Sequence, residues 1–235
     1  MPNTKEILLQ QYPYKIELHA HTSPASCCAD VSPEDAAQLY KAKGYDAIVL
    51  TNHFLFDADA EYAIQQQLAD YYRACEAGKK CGLKVLLGAE IRFSENNNDY
   101  LLYGVNEEIL RSILPLLAYD LDTFRKNLPL TDTLLVQAHP FRPHCQIMPL
   151  SLLDGVEVFN LHPHHNSNNH LAQAVCDKNP VLIPTAGSDY HHNKPGHCGS
   201  TALLSPTLPD DSFALADILK SRDYLLQLHK SIFLP

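Results

Sequence analysis

The sequence predicts an α/β fold in which parallel strands close into a β/α barrel. Three observations carry the prediction. Short apolar runs alternate with helix-like segments along the whole chain. About seven such units are present, which suits a closed barrel better than an open sheet. The side chains able to bind a metal follow the apolar runs, at one end of the expected barrel. A length of 235 residues suits one domain over 1–235, with 46% apolar residues to fill its core and 19% charged residues. No repeat, low-complexity tract or Gly/Ser linker divides the chain.

The elements follow in order. Tyr14–His19 alternates as a strand and leads into Glu17-Leu18-His19-Ala20-His21. Ser32-Pro33-Glu34-Asp35 opens a helix: serine caps, proline takes the first helical position, and acids sit at the positive end of the dipole. That helix runs to Lys43, stops at Gly44 and gives way to strand Asp46–Thr51. The long helical pattern Ala58–Lys80 precedes strands Lys84–Ile91 and Asp99–Tyr103. Leu121–Asn127 reads as a short helix, Thr133–Gln137 and Val156–Phe159 as strands, and Asn168–Asn179 as a helix. Strands Val181–Thr185 and Thr201–Leu204, helix Ser212–Lys220 and the apolar run Tyr224–Leu228 complete the series.

Composition excludes some partners. A net charge of −9 argues against nucleic acid as a stable partner, because binding a phosphate backbone needs clustered Lys and Arg. A small anionic substrate stays compatible, since bound cations reverse the field locally. No apolar run reaches the roughly 20 residues of a membrane span, and Met1-Pro2-Asn3-Thr4-Lys5-Glu6 lacks a secretory pattern. Seven cysteines without a CxxC pair point to a reducing, cytoplasmic setting rather than a disulfide framework. Cys27 and Cys28 lie near the candidate site, and the other five read as buried thiols.

The most informative residues are His19 and His21. At i and i+2 on a strand, both imidazoles face one way and can reach one ion. Thr51-Asn52-His53, Gly88-Ala89-Glu90, Ala138-His139-Pro140 and Gly187-Ser188-Asp189-Tyr190-His191 repeat the theme. Imidazole and carboxylate together are the donor set of zinc, iron and manganese hydrolase sites. Taken singly, each residue has a plainer reading. Glu90 can pair with Arg92, which faces the same way, and Asp189 and His191 can be turn and surface residues. Their joint occurrence at strand ends favours metal. Arg142, beside His139, offers a fork for an oxyanion, and His165 in Leu161-His162-Pro163-His164-His165 reaches the same face as a substrate contact or a solvated loop residue. His170, His192, His197 and His229 are not expected to be ligands.

These five ordered segments, from about residue 16 to residue 192, resemble the PHP (polymerase and histidinol phosphatase) family of metal-dependent phosphoesterases. The resemblance implies a distorted (β/α)7 TIM-like barrel with one to three divalent ions (zinc, manganese or iron). By the match, His19, His21, Glu90 and Asp189 hold the first ion, Glu90 bridges to a second held by His139, and His53 and His191 serve a third. Three departures thin the second and third sites. Asn52 stands where the family commonly has Asp. The ligand usual after the His-x-His motif would have to come from Cys27, Cys28 or Asp30. No histidine occupies Tyr103-Gly104-Val105-Asn106 after the glutamate strand.

The activity implied is hydrolysis of a small phosphorylated substrate by a metal-bound hydroxide, with Asp189 or His191 moving protons and Arg142, His165 and Arg92 holding phosphoryl oxygens. An amidohydrolase-like reaction would use the same His-x-His and late Asp, but such sites often add a bridging lysine, and none ends a strand here. A degenerate protein that binds metal without turnover is the third reading. The sequence sets neither the substrate nor the oligomeric state.

Overall fold

Two strand ladders meeting at two seams position the site. The computed structural model describes residues 4–56, 59–128, 132–194 and 196–235. Helix α1 (Thr4–Gln11) precedes β1 (Tyr14–Ala20), whose last five residues are wholly buried. Then come α2 (Pro33–Ala42), β2 (Ala47–Leu50), β3 (His53–Leu55), α3 (Ala60–Cys81), β4 (Lys84–Leu87), β5 (Ala89–Arg92) and β6 (Asp99–Tyr103). The second half holds α4 (Glu107–Ile113), α5 (Leu121–Asn127), β7 (Leu134–Gln137), β8 (Gly155–Asn160), α6 (Asn169–Lys178) and β9 (Ile183–Gly187). It closes with β10 (Thr201–Ser205), α7 (Ser212–Ser221), β11 (Leu225–Leu228) and β12 (Ser231–Phe233).

The strands pair in the orders β12-β11-β10-β1-β2-β4 and β3-β5-β6-β7-β8-β9. Both sheets are mixed, which corrects the expected all-parallel arrangement. Strand β6 runs antiparallel to both β5 and β7, because the six residues between β5 and β6 make a hairpin with no room for a crossover helix. Strands β10, β11 and β12 are likewise antiparallel additions beside β1. The segment read as one strand over Lys84–Ile91 divides at Gly88 into β4 and β5. A Cβ on Gly88 would lie 2.8 Å from Val49 and 3.0 Å from Thr51, so a side chain is excluded at this joint.

The two sheets touch at that joint. Gly88 N donates to Leu50 O (2.9 Å) and Glu90 N to Asn52 O (3.1 Å), so the β2–β4 pair continues into the β3–β5 pair. At the other seam Ala20 pairs in parallel with Tyr190, just beyond β9, and His21 N donates to Tyr190 O (2.8 Å). Apolar side chains fill the space on both sides of the strands. Ile16, Leu18, Val49, Leu101, Val136 and Ala186 share one cluster, and Ala36, Tyr40, Ala74 and Val85 lie in another under α2 and α3.

Helix α2 starts as its sequence indicates, with Ser32 Oγ accepting from Asp35 N (3.0 Å). Helix α3 is capped by Asp59, and the expected start at Ala58 lies outside the described residues. Helices α1 and α4 and the short strands β3 and β12 were not foreseen. Of the five cysteines expected to be buried, Cys198 is, whereas Cys75, Cys81, Cys145 and Cys176 are partly exposed. No helix among the described residues is long and apolar enough to cross a membrane.

Candidate metal centre

The seams bring the sequence-predicted ligands together. From β1 and the turn after it come His19 and His21, from β3 His53, and from β5 Glu90. His139 follows β7, and Asp189 and His191 follow β9. Glu90 is the shared centre: its Oε1 lies 3.3 Å from His19 Nε2 and 3.2 Å from His139 Nε2. Its Oε2 lies 3.3 Å from His21 Nε2 and 3.0 Å from His53 Nδ1. Asp189 Oδ1 lies 3.5 Å from the Nε2 atoms of both His19 and His21 and 3.3 Å from His191 Nδ1.

Hydrogen-bond partners set the imidazole tautomers. His19 Nδ1 donates to Glu157 Oε1 at 2.8 Å. Ser26 Oγ donates to Asn52 Oδ1 (3.0 Å) and so accepts from His21 Nδ1 (3.1 Å). Both Nε2 lone pairs then point inward, 3.1 Å apart and ringed by carboxylate oxygens. Such an arrangement is repulsive unless a cation sits between the donors. The electrostatics show the same need. Burial pushes the His19 imidazole down, but Glu157, Asp189 and Glu90 outweigh it and hold the ring well above its usual pKa. Burial, followed by the rings of His191 and His53, holds His21 well below. Burial would raise the Glu90 and Asp189 carboxyls, yet the imidazoles, and Arg142 beside Asp189, keep both well below the ordinary range. Glu90 Oε2, His53 Nδ1 and His139 Nδ1 are buried without a hydrogen-bond partner. Charge, tautomer and unpartnered atoms all fit divalent metal.

Three donor groups converge closely enough to share an ion: His19, His21 and Glu90; His21, His53 and His191; and Glu90, Asp99 and His139. Asp99 was missed in the sequence. Because β6 is reversed, its first residue, not its last, faces the site, so the donor sought at 103–106 comes from the opposite end of the strand. Asp99 also binds Arg92 through two bonds of 2.7 and 2.8 Å, which corrects the Glu90–Arg92 pairing.

Backbone strain accompanies the site. His139 and Asp189 adopt left-handed conformations, φ +28° and +52°, at a cost of about 1–3 kcal/mol each. Asp189 is held by Arg142 Nη2 (2.7 Å) and Asn160 Nδ2 (3.3 Å). Gly187 makes the close approach possible: a Cβ there would fall 2.3 Å from that of His19 and 2.7 Å from Glu157 Oε1.

A cavity of about 380 Å³ opens over these donors, lined also by Cys28, Arg92, Arg142, His162 and His165. Arg142 Nη2 is bound to Asp189 and Asn160, while its Nε is buried without a partner. His165 is exposed, its ring 4.5 Å from that of His162, which in turn lies 5.4 Å from His191. Burial lowers the His162 imidazole to about 3, so it is neutral at pH 7. No lysine lines the cavity among the described residues.

A family model of the PHP domain matches residues 17–180. The chain belongs to the PHP domain family. No curated protein matches it. Among solved structures, a two-domain protein from Bacteroides vulgatus containing a predicted PHP-like metal-dependent phosphoesterase superposes with a TM-score of 0.67 at 17% identity, over 93% of this chain and 66% of that one. A lesion-specific endonuclease from Pyrococcus furiosus gives a TM-score of 0.59 at 14% identity, over 88% and 56%. An endonuclease Q complex with a 27-mer duplex bearing an abasic lesion gives 0.59 at 11%, over 94% and 58%. This PHP chain thus spans about two thirds or less of those proteins' lengths. The DNA-bound neighbour overturns the expectation that nucleic acid is excluded as a partner. The reason is physical: a net charge of −9 sums the whole surface and does not describe one cavity, whose lining mixes Arg92 and Arg142 with Glu90, Asp99 and Asp189.

Proposed function

We propose that this PHP domain is a metal-dependent phosphoesterase, its seven central strands forming a distorted barrel and residues 1–235 acting as one domain. The observation that carries the reading is Glu90, a buried carboxylate shared by four imidazoles beneath a cavity walled by arginine. His19, His21, Glu90 and Asp189 would hold one ion. Glu90, His139 and Asp99 would hold a second, and His53 and His191 a third. When bound, the ions supply Lewis acidity toward phosphoryl oxygens and toward the attacking water.

The chain's own residues do the rest. Arg142, fixed by Asp189 and Asn160, presents its unpartnered Nε to a non-bridging oxygen. Arg92 is committed to Asp99 and therefore acts by holding that carboxylate rather than by gripping substrate directly. His165 contributes at the rim, behind His162. His191, whose Nδ1 donates to the Asp189 carbonyl, has Nε2 alone left to offer: to the third ion when that ion is held, and to proton movement when it is not, with Asp189 as the charge beneath it. The absence of lysine from the described lining favours phosphoester over amidohydrolase-like chemistry.

The test is elemental analysis of protein purified without chelator, with assays on phosphomonoesters, phosphodiesters and abasic oligonucleotides. Bound zinc, manganese or iron with metal-dependent phosphoester cleavage, both lost in the His19→Ala/His21→Ala double variant, is the expected result. Stable metal with no turnover on any of the substrates would instead mark a metal-binding protein without catalysis.

A further inference from the structure

The loop between β1 and α2 carries a residue that neither the ligand set above nor the substrate contacts use. It is tied to both flanks of the centre. Ser26 Oγ accepts from His53 N (2.9 Å), and Asp30 N donates to the His191 carbonyl (3.0 Å). Cys28 lies between those two anchors. It lines the cavity with both His53 and His191, and its thiol lies within electrostatic reach of their imidazoles. Beside them Glu90 Oε2, in a side chain almost wholly buried, has no hydrogen-bond partner and faces His53 Nδ1 at 3.0 Å.

The other two loop candidates fail on geometry. Asp30 turns its carboxylate to His192 (3.0 Å) and to Asn193 N. Cys27 and Cys28 are both exposed, but only Cys28 lines the cavity.

We propose that Cys28 ligates a divalent ion together with His53 and His191, giving an otherwise imidazole and carboxylate centre one soft position. The inference rests on the reading that the site holds divalent ions. On binding, the S–H proton passes to solvent and the sulfur pair bonds the metal, with no change of oxidation state. Sulfur beside imidazole favours zinc, cobalt or ferrous iron over manganese and magnesium at that position. The hard Glu90, Asp99 and His139 group has no such preference. The substituted position therefore changes which metal is selected, while the site stays where it is.

Cobalt(II) titration of the full chain tests this, read by absorption rather than turnover. Thiolate ligation gives an intense near-ultraviolet sulfur-to-cobalt band, while the visible ligand-field bands report cobalt bound by any donor. The expected result is a near-ultraviolet band in the wild type and in Cys27→Ser, lost in Cys28→Ser with the visible bands retained. Visible bands without the near-ultraviolet band in the wild type, or a band that survives Cys28→Ser, overturn the assignment and leave the metal-centre reading standing. No cobalt bound at all would sink both. Circular dichroism of Cys28→Ser, expected to match the wild type, separates ligand loss from misfolding.

Discussion

Glu157 and His19 share the hydrogen bond that orients the whole centre. The carboxylate takes the Nδ1 proton with one oxygen at 2.8 Å, and its other oxygen accepts from His139 N (3.0 Å) and Asn160 Nδ2 (2.9 Å). One buried side chain from β8 therefore sets the tautomer of a ligand on β1 and the backbone of a ligand after β7. Partners of this kind raise ligand basicity and fix ring orientation.

Glu157→Gln is expected to weaken metal binding by about 10–100-fold with little change in fold, because the amide can present its nitrogen to His19 and strand the imidazole in the wrong tautomer. Competition with a chromophoric chelator measures it. Unchanged affinity would show that His19 needs no orienting partner.

Arg142 makes its claim on rate. Arg142→Ala should lower kcat/KM for the best phosphoester by about 10²–10³-fold, and Arg142→Lys should recover little of it, since a point charge cannot hold Asp189 and a phosphoryl oxygen at once. Metal content measured on the same samples separates the two duties. A loss of turnover that merely tracks loss of metal would assign Arg142 to Asp189 alone.

Stability should depend on pH through Glu17. Burial raises its carboxyl from 4.5 to about 6, against the opposing hydrogen bonds from Ser188 and the His19 backbone. The folded state therefore holds this proton more tightly than the unfolded chain does. The stabilisation is complete below pH 4.5 and is lost as pH rises through 6, a change of about 2 kcal/mol. Urea unfolding of chelator-treated protein between pH 4.5 and 7 should show Glu17→Gln with a flatter profile than the wild type. Parallel profiles would mean that Glu17 titrates as it does in the unfolded chain.

Much of the architecture can be read from the residues. Alternation and caps place β1, α2, β6 and α5 within a residue or two, and the strand-end histidines can be seen because each follows an apolar run. What escapes has physical causes. Asp99 sits at the start of a reversed strand, so a rule keyed to strand ends looks past it. Glu157 lies mid-strand in Val156-Glu157-Val158-Phe159; an acid inside so apolar a run needs a partner, and that was its available signal. Asn106-Glu107-Glu108 was an N-cap signal for α4, since Asn106 Oδ1 accepts from Ile109 N (2.9 Å). Helix α1 buries no residue, so it has no apolar stripe to find. The two-residue path from β2 through Thr51 and Asn52 to β3 is too short for periodicity to resolve.

The reversed strand has a further consequence for how this mouth could diversify. Because β5 ends and β6 begins at the metal face, the hairpin 93–98 starts and ends on two cavity-lining residues, Arg92 and Asp99, beside the loop after β7. It is pinned there by Asn98 Oδ1 accepting from Gln146 N (2.9 Å). Its tip faces outward from a rigid pair of strands, so residues can be inserted or removed there without shifting Glu90 or Asp99 from register. Substrate range could thus evolve by lengthening one hairpin, a movable wall mounted on a fixed floor.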